Sequence, residues 1–113
     1  MTAVRIKIGD LVVRASLNDS NTAQRIKAAL PFESKAQRWG DEVYFSVPVE
    51  AGKENAQEDV PSGTVAYWLA GKALCLFFGQ KPYGAVNVVG VLEGDPTVLA
   101  ATVEGQFVRV ETA

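Results

Sequence analysis

The chain has 113 residues, 48% of them hydrophobic and 21% charged, with a net charge of −2. That length makes one domain, residues 1–113, able to bury roughly 65% of its unfolded surface without staples. Eleven Lys and Arg scattered among thirteen Asp and Glu form no basic stripe, so nucleic acid is not an expected partner. No apolar run approaches the ~18–20 residues that cross a bilayer, and the charged start "MTAVRIKIGD" is unlike a signal peptide. With a single cysteine there is no internal disulfide, and a cytoplasmic location is the default.

Histidine is absent altogether. This removes Ser-His-Asp and Cys-His nucleophiles, His-containing zinc sites and the commonest general base. One thiol cannot build a metal cluster either, so no metal and no cofactor is expected. An enzyme made from this chain would work with carboxylates, Lys, Arg, Tyr or binding energy alone.

In chain order, "VRIKI" (4–8) alternates Val4, Ile6 and Ile8 against Arg5 and Lys7. Gly9-Asp10 reads as a type II′ hairpin turn, returning through "LVVRASL" (11–17). A helix follows over 21–30, with Asn21 as cap, Gln24 completing a capping box and Pro31 as the stop. Its apolar stripe is Ala23, Ile26 and Leu30. "FESKAQRW" (32–39) is a weaker strand that turns at Gly40-Asp41 into "EVYFSV" (42–47). The acidic stretch 50–63 has no apolar period and reads as a surface loop, with Glu54, Glu58 and Asp59 solvated rather than cation-binding. Three more strands are "TVAYWL" (64–69), "ALCLFF" (73–78) and "AVNVVGVL" (85–92). A short turn of helix starts at Asp95-Pro96, and "FVRVE" (107–111) is the last strand.

About eight strands with one main helix predict an all-β fold, a closed antiparallel barrel whose open end the helix plugs. Adjacent strand residues face opposite ways, so Tyr67-Trp68 and Phe77-Phe78 must each send one aromatic outside the barrel. Cys75, between leucines, reads as a small buried hydrophobe.

The segments "PFESKAQRWGDEVYFSVPV" (31–49), "SGTVAYWLAGKALCLFFGQKP" (62–82) and "AVNVVGVLEG" (85–94) resemble a small bacterial and archaeal family of cyclophilin-like proteins of unknown function. The resemblance implies a cyclophilin-like barrel. It does not carry over the isomerase site: the Phe-His-Arg and Gln-Gly-Gly-Asp motifs of true cyclophilins are missing, and "GQKPYGAVN" after Phe78 is shorter than in many relatives.

The residues therefore point to a binding module for a peptide or small molecule. Its candidate ligand-binding residues are Trp39, Tyr44, Tyr67, Trp68, Lys72 and Phe78. Lys72, beside Gly71, is either a solvated turn lysine or a cation at a cleft rim. Arg38 is the weak catalytic candidate, as a donor to a prolyl amide; its other reading is an ion pair with Asp41 or Glu42 across the turn. The competing functions are a weak prolyl isomerase or another metal-independent enzyme, and a homo-oligomeric subunit joined through exposed aromatics.

Overall fold

The computed structural model describes all of residues 1–113. Nine strand segments form one antiparallel sheet: β1 (Thr2–Ile8), β2 (Leu11–Leu17), β3 (Phe32–Lys35), β4 (Gln37–Arg38), β5 (Glu42–Ser46), β6 (Thr64–Trp68), β7 (Ala73–Phe77), β8 (Val86–Leu92) and β9 (Phe107–Thr112). Their order is β3-β9-β1-β2-β8-β6-β7-β5-β4. Only Ala36 separates the first member of that order from the last, so Phe32–Arg38 is one run that changes partner midway. Its first half pairs with β9 and its second half with β5. This seam closes the sheet into a barrel of eight strands.

Period-two patterning does the sorting. Val4, Ile6 and Ile8 on β1 and Val13, Ala15 and Leu17 on β2 are all buried in the interior, while Arg5, Lys7 and Arg14 stay outside. Gly9 makes the hairpin turn with φ +57°, as a II′ turn requires at its first position. From the opposite side come Val43, Phe45, Val65, Leu74, Leu76 and Val89. β8 carries an extra residue against β6, the register shifting between Val65 and Ala66. On the β2 side the Val89 carbonyl accepts from Asn18 N–H at 2.8 Å, one step beyond the Leu17–Gly90 pair. Here Gly90 is a packing requirement: a Cβ on it would lie 2.3 Å from the Ser16 carbonyl oxygen of β2.

Helix α1 (Asn21–Ala29) closes one end, with Ala23 and Ile26 joining the barrel core. Its cap is Ser20, not Asn21: the Ser20 hydroxyl accepts from Ala23 N–H at 3.2 Å. Asn21 is the first helical residue, and no capping box with Gln24 forms. Glu54 takes over that task from the far side of the sequence. Its carboxylate accepts from the backbone N–H groups of Asn21 and Thr22, both at 2.8 Å, and from the Thr22 hydroxyl at 2.7 Å. Those bonds hold the Glu54 carboxyl below its ordinary range, Thr22's contributing most. Glu54 is thus a helix anchor rather than a solvated loop residue. The second helix is a 3₁₀ segment, Pro96–Ala101, capped by Asp95, which accepts from Thr97 N–H at 2.9 Å.

Loop 50–63 lies back over the outer face of the barrel. Gln57 bridges to Val86, and buried Val60 joins Ala66, Cys75, Phe77 and Val86 in a second, smaller apolar cluster. No helix is long and apolar enough to cross a membrane.

Candidate functional site: an aromatic cleft on the outer barrel face

The registers of β5, β7, β6 and β8 decide what stands on that outer face. Glu42 lies opposite Phe77, Tyr44 opposite Cys75, and Trp68 opposite Val86. Cross-strand partners share a face. Val43, Leu74 and Leu76, one residue away, point into the barrel instead. Loop 50–63 covers only part of this outer surface. The remainder is a cleft of about 210 Å³ lined by Trp39, Glu42, Tyr44, Trp68, Cys75, Phe77, Pro82, Tyr83 and Val86.

Burial grades the lining into floor, wall and rim. Phe77, Cys75, Val86 and Glu42 are buried; Tyr44 and Trp68 are half-buried; Trp39 and Tyr83 are exposed. Tyr44 and Trp68 meet edge to face with ring centroids 6.0 Å apart. Trp39 and Tyr83 do the same at the rim, at 5.3 Å. Trp68 is fixed by what lies behind it. A Cβ on Gly71 would come within 2.2 Å of its ring carbons, so only glycine lets the indole lie down there.

The rim loop is anchored at both sides. Asp41 N–H donates to the Gln80 side-chain carbonyl at 3.2 Å, and Phe78 N–H donates to Asp41 O at 2.9 Å. Lys81 pairs with Asp59 at 3.4 Å, joining the rim loop to loop 50–63. Pro82 and Tyr83 are presented between these ties.

One polar group stands out at the floor. Glu42 is only 5% exposed and takes part in no ion pair. Burial pushes its carboxyl above the ordinary carboxylate value, an effect moderated by the neighbouring Cys75 thiol. Burial, reinforced by the Glu42 charge, pushes the Cys75 thiol well above its usual value. Cys75 is therefore a thiol, not a thiolate nucleophile.

Of the residues singled out by sequence, Trp39, Tyr44 and Trp68 come together in the cleft. Tyr67, Lys72 and Phe78 do not. Tyr67 points into the barrel, its hydroxyl donating to Val49 O at 2.8 Å. Lys72 turns to the other side and pairs with Glu50 near Arg25 and Tyr67. Phe78 belongs to the barrel core, with the Arg38 guanidinium 5.1 Å from its ring centre. Arg38 makes no ion pair with Asp41 or Glu42. Its guanidinium donates to three backbone carbonyls instead: Thr102 and Gly40 at 2.9 Å and Ala100 at 3.1 Å. It ties the β4–β5 turn to the 3₁₀ segment.

Glu42, Cys75, Phe77, Pro82, Tyr83 and Val86 line the cleft as well, beyond the residues the sequence pattern points to. For Glu42 a signal existed: it precedes Tyr44 by two, so any face holding Tyr44 holds Glu42 as well. No group of three or more His, Cys, Asp and Glu side chains that could hold a metal ion occurs in the fold.

The family model for cyclophilin-like proteins matches residues 2–111. The chain belongs to the cyclophilin-like family. A hypothetical protein from Archaeoglobus fulgidus, known from its solution structure, is similar over 99% of this chain and 95% of its own, at 37% identity and a TM-score of 0.84. The structure of McbB in complex with tryptophan is similar at 18% identity and a TM-score of 0.77, over 96% of this chain and 44% of McbB, which shows a shared fold. No protein among the curated ones matches the chain in sequence. The cyclophilin-like barrel expected from the strand pattern and from the three motif segments is the fold observed.

Proposed function

We propose that this cyclophilin-like chain is a small-molecule binding module, and that its ligand places a ring in the outer-face cleft. The observation that carries the reading is a buried carboxyl, Glu42, left at the floor of a cavity otherwise lined by aromatic and apolar side chains. Packing alone favours an apolar residue there, since burying an unpaired carboxyl is costly. Apolar walls with one or two converging polar groups are the usual make-up of a ligand site.

Size narrows the occupant. An apolar cavity of about 150 Å³ holds one benzene, so about 210 Å³ suits one ring with a short substituent. This favours a compact molecule over a peptide. McbB, which shares the fold, is known in complex with tryptophan, a ligand of that general size. The isomerase reading gains no support from Arg38, which does not line the cleft and whose Nη1 and Nη2 donate to backbone carbonyls.

The chain carries its own reporter, because its two tryptophans, Trp39 and Trp68, both line the cleft. A panel of single-ring and indole compounds should contain members that saturably change tryptophan emission. Gly71→Ala, which forces the Trp68 ring off its seat, should weaken them while the barrel remains folded by circular dichroism. A panel without any saturable change, confirmed by calorimetry, would overturn the proposal.

A further inference from the structure

We infer that the cleft selects a monoamine cation, an aryl-alkylammonium whose ring lies between Tyr44, Trp68 and Phe77 and whose ammonium group sits on the Glu42 carboxylate. This rests on the cleft being a ligand site. It adds the charge and the functional group of the ligand.

Charge complementarity carries the inference. Glu42 is buried and has no basic partner anywhere in the chain, so the ionised carboxylate lacks a counter-charge until a ligand brings one. No Lys or Arg lines the cleft. Lys81, nearby on the rim loop, pairs outward with Asp59, and Arg38 is held by carbonyls. An anionic ligand would meet Glu42 with nothing to neutralise either charge. A zwitterionic amino acid would satisfy Glu42 with its ammonium group but leave its own carboxylate without a partner. A monoamine has neither problem.

The surrounding rings favour the same sign. Tyr44, Trp68 and Trp39 present π-systems around the cleft, and ring faces attract a cation when water is excluded. The other titratable groups facing Glu42 are the Cys75 thiol beneath it, the Tyr44 hydroxyl along the strand and Tyr83 on the rim loop. None of them carries positive charge, so none competes with an ammonium ion.

The test compares three ligands of nearly equal shape: 2-phenylethylamine, 2-phenylethanol and phenylacetate. Calorimetry and tryptophan emission are read on the intact protein near pH 7. The amine should bind about tenfold or more tighter than the alcohol, as a hydrogen-bonded charge should, and phenylacetate should bind most weakly. Glu42→Gln should bring the amine down to the alcohol's affinity and leave the alcohol unchanged. Should Glu42→Gln not fold, the wild-type protein provides the same readout. Amine affinity should fall as pH drops and Glu42 takes up a proton, with the alcohol indifferent. Equal binding of amine and alcohol, or preference for phenylacetate, would overturn the cation assignment while leaving the cleft as a ligand site. Absence of binding by all three, with an unrelated ring compound still bound, would overturn the assignment alone. If no ring compound bound at all, both readings would fall.

Discussion

If the cleft is a ligand site as proposed, Glu42 sets ligand binding against stability. A free glutamate titrates near 4.5, and the buried Glu42 holds its proton to higher pH. Between those two values the native state binds more protons than the unfolded chain, so this group lowers stability as pH rises through the window. Glu42→Gln should therefore stabilise the protein at neutral pH. The gain should shrink towards zero below about pH 4, where Glu42 is protonated in both states. Urea midpoints of both proteins across that range check the sign. A variant less stable at neutral pH would mean that the ionised carboxylate already has a partner. Arg38 is the opposite case, a charged residue that resembles a functional group in sequence and serves as a strap between backbone carbonyls.

At the scale of elements, burial and cross-linking separate two kinds of strand residue. Ile6 on β1 and Leu76 on β7 are fully buried on opposite sides of one core. Ile6→Ala and Leu76→Ala should each cost about 2–5 kcal/mol in chemical denaturation, as buried large-to-small changes do. Asn87 on β8 is polar yet equally buried, because three segments meet on it. Its amide donates to the Thr22 hydroxyl at 3.0 Å and to Gly52 O at 2.8 Å, and its carbonyl accepts from Glu54 N–H at 2.9 Å. Helix, loop and barrel are joined through that one side chain. Asn87→Ala should cost about 1–3 kcal/mol, the penalty for stranding buried partners. Faster amide exchange should then appear in loop 50–63 and the first turn of α1, and not in β1.

For the whole molecule, the seam at Ala36 matters most. A sheet closed by one run that pairs with β9 and then with β5 has no long free edge to offer another copy. Of the exposed aromatics Trp39, Tyr83 and Phe107, the first two are a surface a subunit interface could use and are also the rim of the cleft, which Phe107 does not line. If the rim serves ligand entry, the chain should run as a 12.1 kDa particle at micromolar concentration. Its tryptophan emission should then be open to a neutral quencher, and a bound ring compound should protect it. A larger particle with Trp39 shielded in the absence of ligand would favour the subunit reading.

Sequence by itself determined the barrel, because a period of two reports which face each residue takes. It put Val4, Ile6 and Ile8 inside and required that Tyr67-Trp68 and Phe77-Phe78 be split between the two faces. It also placed the Gly9 turn and the Asp95-Pro96 helix start, which depend on local backbone chemistry. The pairing of distant segments was beyond it. Glu54 caps a helix that begins 33 positions earlier. Arg38 reaches carbonyls at Ala100 and Thr102. Periodicity says that adjacent aromatics diverge, but strand register and the cover of loop 50–63 decide which one meets open space. That is why Trp39, Tyr44 and Trp68 share a cleft while Tyr67, Lys72 and Phe78 lie elsewhere. It is also why an ordinary-looking glutamate at the start of a strand comes to lie buried at the floor of that cleft.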